Sequence, residues 1–155
     1  MQTIEKSLIE KSLESAEKLL KIPAEYWEGD HGVCGVNFSV GWFHWKATSA
    51  YIDDVFVSLP EDVQESALYH ELGHIVSYEN KLPAHAKDIR HHRWWFGLLS
   101  DRCYYNRECE ADTYAAERIG INRVLGMLSV ALRGNDERTT RLANLKAVWE
   151  KRTKL

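Results

Sequence analysis

Residues 58–80, SLPEDVQESALYHELGHIVSYEN, decide how the rest of the chain is read. Ser58 and Glu61 have the spacing of a capping box, in which a hydroxyl and a carboxylate satisfy each other's orphan backbone donors at a helix start. The spacing predicts a long helix running to about Tyr78, with Asn80 near its end and Pro83 beyond. Within it stand His70, Glu71, Leu72, Gly73 and His74. Residues four apart share a helix face, so two imidazoles can occupy two corners of a tetrahedral metal site. Glu71, one residue along, is placed at the open corner, where it can take a proton from water. The pattern predicts one zinc ion per chain held by His70 and His74, with Glu71 as general base.

Such a site needs a third protein ligand, and His85, His91, His92, Glu108, Glu110 and Asp112 all lie downstream. Spacing favours Glu108. It precedes Asp112 by one helical turn, so a helix crossing the first can present Glu108 to the metal and Asp112 to the far nitrogen of a histidine ligand. Ala111, Ala115 and Ala116 are small enough to let the two helices approach closely.

With Arg107-Glu108-Cys109-Glu110-Ala111-Asp112 following HELGH, the chain resembles the gluzincin metallopeptidases. Within them it is most similar to the CAAX-prenyl proteases and heat-shock membrane zinc proteases and to their small soluble relatives, the minigluzincins. The resemblance implies a zincin-like fold and peptide-bond hydrolysis, with Glu108 as third ligand and Asp112 supporting a histidine. Asn37-Phe38 resembles the family's edge strand beside the substrate, without its middle Ala. Arg141-Leu142 with Leu145 resembles its C-terminal element, and on that likeness Arg141 is placed first as oxyanion donor, ahead of Tyr114, His91, Tyr104 and Tyr105. Asn135-Asp136 stands where the family has His-Pro, and the family's membrane helices have no counterpart here.

Around this centre the chain is read as one domain, residues 1–155. Ile4, Leu8, Leu13, Ala16 and Leu20 mark an amphipathic helix within 1–22, stopped by Pro23. Residues 28–59 change to Gly, Val and aromatics, and predict strands over Val33 to Trp45 and Ala50 to Ser58. After Glu79, helices are predicted over Arg93 to Leu99, Asn106 to Arg118, Asn122 to Arg133 and Glu137 to Arg152. The fold class is α+β: a small, mostly antiparallel sheet beside a helical body whose two central helices carry the ligands.

The 155 residues carry 23 acidic and 20 basic side chains, a formal charge of -3, with no sustained run of one sign, so no nucleic-acid partner is expected. Three cysteines, Cys34, Cys103 and Cys109, make no disulfide framework. Neither a signal segment nor about 20 consecutive apolar residues is present, so no membrane span and a cytoplasmic location are expected. Cys34 reads as a buried thiol rather than a cap on the metal, and Trp94, Trp95, Phe96, Leu98 and Leu99 as packing over the ligand helices. The expected activity is peptide or protein hydrolysis, endopeptidase before aminopeptidase. A protease specific for one transcriptional repressor and a catalytically silent, metal-stabilised binding module are the alternatives.

Overall fold

Helix α1 spans Lys6–Leu20 and ends where Lys21 turns into the left-handed region (φ 59°), its N–H closing onto the Glu17 carbonyl. Its buried residues are Ser12, Ala16 and Leu20; of the apolar positions expected from the spacing, Ala16 and Leu20 are buried, Leu13 is half-buried and Leu8 is exposed. The computed structural model describes residues 5–41, 44–87, 89, 101–132 and 135–154. The predicted helix over Arg93 to Leu99, the His91-His92 pair and the Trp94 cluster lie outside them.

Among the described residues the sheet has three strands, in the order β1-β3-β2. β1 (Ala24–Trp27) pairs in parallel with β3 (Trp45–Asp53), and β2 (Cys34–Val40) pairs antiparallel on its other side. The sheet is therefore mixed. β1 begins before the sheet expected from residue 28, since four residues after a proline carry too little alternation to announce a strand. The predicted strand over Val33 to Trp45 divides into β2, a turn closed by Gly41 N–H donating to the His44 carbonyl, and the first residue of β3.

The strand predicted over Ala50 to Ser58 stops at Asp53, and Asp54–Ser58 is a short helix, α2. Asp53 causes the switch. One of its oxygens accepts from Phe56 N–H at 2.9 Å, capping α2, and the other accepts from His31 N–H (2.7 Å) and Val33 N–H (3.0 Å). This fully buried carboxylate ties together the entry to β2, the end of β3 and the start of α2.

The long helix α3 runs Glu61–Glu79 as expected, but its start is made differently. Pro60 is the N-cap residue, with no side-chain cap; Ser58 Oγ donates to the Asp54 carbonyl and Glu61 pairs with Lys11. The Ser58–Glu61 capping box therefore does not form, because Ser58 is still part of α2. A helical turn at residues 83–87 is α4. Then come α5 (Asp101–Ile119), α6 (Ile121–Ala131) and α7 (Asn135–Thr153). α5 starts five residues before its predicted Asn106, and Gly120, at φ 91°, makes the break into α6 that only glycine adopts without strain.

Ile52 and Phe56 from the sheet side meet Leu68, Ile75, Ala115, Val124, Leu128 and Leu145 from the helices in one apolar core. Within it α3 crosses α5 at Gly73. A Cβ there would stand 2.9 Å from the Cα and the carbonyl oxygen of Ala111, which is itself fully buried. Among the described residues no helix is long and apolar enough to cross a membrane.

Because backbone atoms bound that contact, Gly73→Ala must push the helices apart, and it is expected to destabilise the protein by about 1–3 kcal/mol. Urea unfolding measures this; an unchanged midpoint would contradict the crossing.

Candidate metal centre

The Gly73–Ala111 crossing lays the histidine face of α3 against the acidic face of α5. His70 Nε2 is 3.1 Å from Glu108 Oε2, His74 Nε2 is 3.3 Å from Glu108 Oε1, and the two Nε2 atoms are 3.1 Å apart. Ligating atoms of His70, Glu71 and His74 also lie within 4.8 Å of one another. All four residues line one cavity of about 590 Å³, whose opposite wall is made by Cys34, Val36 and Phe38 of β2 and Tyr51 of β3.

Behind the histidines stand two polar supports. His70 Nδ1 donates to Asp112 Oδ1 at 2.8 Å. Asp112 is in turn clamped by Arg141, whose Nε and Nη2 donate to its two oxygens at 2.9 and 2.7 Å. On the other side His74 Nδ1 lies 3.0 Å from His85 Nε2, and His85 Nδ1 lies 2.5 Å from Glu110 Oε2. With their ring protons on Nδ1, both histidines turn Nε2 lone pairs toward each other and toward the Glu108 carboxylate. Such an arrangement needs a positive charge between its members, either a proton or a cation.

The donor set fits zinc. Bonds of about 2.0–2.2 Å in a tetrahedron place ligand atoms roughly 3.3–3.6 Å apart, and the observed 3.1 to 3.3 Å falls within a few tenths of an ångström of this. Two imidazole nitrogens and a carboxylate are also the ligand types of open catalytic zinc sites.

Without a cation the network holds protons instead. Burial acts to lower the His70 pKa, but Asp112 and Glu108 outweigh it and raise it to about 10. Burial acts to raise Glu108, yet the bonds from His70 and His74 leave it well below the usual carboxylate range. Asp112 is lowered too, against its burial, by His70 and Arg141. Burial dominates at the other two groups: it lowers His74 and raises Glu71 to about 7.

Each residue expected at the site from the sequence is here: His70, Glu71, His74, Glu108, Asp112 and Arg141. Arg141 is present in a different posture from the oxyanion donor expected of it. It is 4% exposed, and Nη1 faces Glu108 Oε2 at 3.0 Å and Glu137 Oε1 at 3.2 Å while Nε and Nη2 hold Asp112. Tyr114 does not line the cavity and packs under the Arg118 guanidinium. His85 and Glu110, weighed only as third ligands, sit behind His74. No periodicity links His85 to His74, so the sequence carried no signal for that contact. Cys34 and Cys109 are free thiols, and burial pushes the pKa of Cys34 upward. Comparison with protein-family models, with curated proteins and with solved structures returned no match.

Two outcomes follow from this electrostatics. His70 has a folded-state pKa above its ordinary 6.5, so its protonation stabilises the metal-free fold fully below pH 6.5, and that contribution disappears as pH rises through about 10. The melting temperature of chelator-treated protein should therefore fall from pH 7 to 10, and fall less in His70→Gln; parallel profiles would refute the coupling. Arg141→Met strips a buried partner from Asp112 and is expected to cost about 3–5 kcal/mol in denaturant unfolding. A loss under 1 kcal/mol would show that the clamp does not hold.

Proposed function

We propose that this chain is a zinc-dependent peptidase, and that it is an endopeptidase of gluzincin type. The observation that carries the reading is the convergence of His70 Nε2, His74 Nε2 and the Glu108 carboxylate, with Glu71 in the same cavity. His70, His74 and Glu108 would hold the ion. Zinc bound there supplies Lewis acidity, polarising a carbonyl and making water acidic enough to react near neutral pH.

The chain's own groups account for the remaining work. Glu71 accepts the proton of the attacking water and returns it to the leaving amine, since one carboxylate can serve transfer in both directions. Burial raises its pKa to about 7, which suits a group that takes up and returns a proton near neutral pH. Asp112, clamped by Arg141, fixes the ring of His70. Arg141 is thus a positioning residue, because its donors already face carboxylates.

The substrate side is β2. Among the described residues it pairs with β3 along one edge only, and its register shifts between Asn37 and Phe38. Asn37 Nδ2 donates to Ser49 Oγ across the sheet, and Phe38 packs on Tyr78 of α3 and lines the cavity. An extended peptide laid along the other edge would be held by main-chain hydrogen bonds and bring a carbonyl over the histidines. A seven-residue strand along the cavity favours binding in the middle of a chain, which is why endopeptidase is preferred. An unmatched, charged peptide terminus has no need of it.

The test combines metal analysis with cleavage of a peptide library read by mass spectrometry. One zinc per chain, activity abolished by chelation and restored by zinc, and a loss of about 10²–10⁴-fold in a zinc-retaining Glu71→Gln variant are expected. Hydrolysis that survives complete metal removal would sink the mechanism. Zinc retention with no cleavage in either protein would identify a binding module instead.

A further inference from the structure

The two histidines that face Glu108 are supported unequally. His70 has a carboxylate directly behind it, Asp112. His74 has none. What stands behind His74 is His85, fully buried, from the α4 turn at residues 83–87, which the proposed chemistry leaves without a task.

The tautomers of this chain of groups follow from its ends. If His74 ligates through Nε2, the atom facing His70 and Glu108, its single ring proton must sit on Nδ1. That proton points at His85 Nε2, 3.0 Å away, which must then be the acceptor. A neutral His85 with a bare Nε2 carries its own proton on Nδ1, and there Glu110 Oε2 accepts it at 2.5 Å. Glu110 is itself held by backbone: Oε1 accepts from Ala84 N–H at 2.8 Å and Oε2 from His85 N–H at 3.3 Å. The ring of Tyr78 meets His85 edge-on at 4.5 Å between centroids, which limits its rotation. Every polar atom of the His85 ring is used once, and in one direction.

We infer that His85 and Glu110 are a positioning pair for the metal site, a relay that presets the tautomer and ring orientation of His74 through an intervening imidazole. The inference rests on the reading of His70, His74 and Glu108 as metal ligands. Partners of this kind make a ligating imidazole more basic and fix its plane, and their loss typically weakens metal binding by about 10–100-fold. Because the partner here is an imidazole rather than a carboxylate, the relay transmits orientation with only part of the charge of Glu110.

Two amide substitutions separate this role from simple packing. In His85→Gln the side-chain carbonyl reaches the place of Nε2, so it can accept from His74 while contact with Glu110 is lost. In His85→Asn the amide reaches only the place of Nδ1, so donation to Glu110 is kept and His74 loses its partner. Zinc affinity, measured by competition with a chromophoric chelator at fixed pH, should fall by about 10–100-fold in His85→Asn and stay near wild type in His85→Gln. Melting of the metal-free proteins should show the opposite order. Equal affinities in all three proteins, or weaker binding in the Gln variant than in the Asn variant, would overturn the relay while leaving the site standing. Failure of the wild-type protein to take up zinc would remove the site and the relay together.

Discussion

The close crossing of α3 and α5 is the constraint on which the rest of the molecule depends. Gly73 brings backbone against backbone at Ala111, and only at that separation do imidazoles from one helix reach the carboxylates of the other at 2.8 to 3.3 Å. The sheet and the remaining helices serve this contact. α6 and α7 back the pair, β2 supplies the facing wall of the cavity, and the Asp53 node holds that wall at a fixed distance along the chain.

The crossing buries an unusual concentration of charge. Glu108, Asp112 and Arg141 are each less than a tenth exposed, and carboxylates in such a setting are tolerated only when every lone pair has a donor. Arg141 provides one cation for these two buried carboxylates and for the more exposed Glu137. The remaining negative charge is concentrated among the His70, His74 and Glu108 atoms, where a proton and a metal ion would compete. A proton, or a cation if one binds there, would neutralise the same cluster.

Much of this was legible in the chain itself. The helical spacing of His70 and His74, the turn between Glu108 and Asp112, and the alanines that permit close packing all express local periodicity, and the structure brings them together as that periodicity implies. What escaped reading depends on single contacts instead. Asp53 ends a strand by capping a helix, an event that composition over Ala50 to Ser58 cannot signal, because Val55, Phe56 and Val57 favour strand on propensity alone. Pro60 took the cap that Ser58 and Glu61 suggested. β1 exists because its partner β3 is beside it, and His85 reaches His74 through the path of the chain after α3, which has no period at all.

Three acidic residues of α5 stand at alternate positions, 108, 110 and 112. At 100° per residue, Glu110 points about 200° from Glu108 while Asp112 returns to within about 40° of it. One helix therefore serves as a common axle for two separate linkages, one reaching α3 and α7, the other the turn at 83–87. Its rotational phase cannot drift: removing a single residue between 108 and 112 would swing the downstream linkage off its target while the upstream one stayed in place. Length changes in this lineage should accordingly accumulate in the connections outside α5, and the helix itself should be inherited as an indivisible unit.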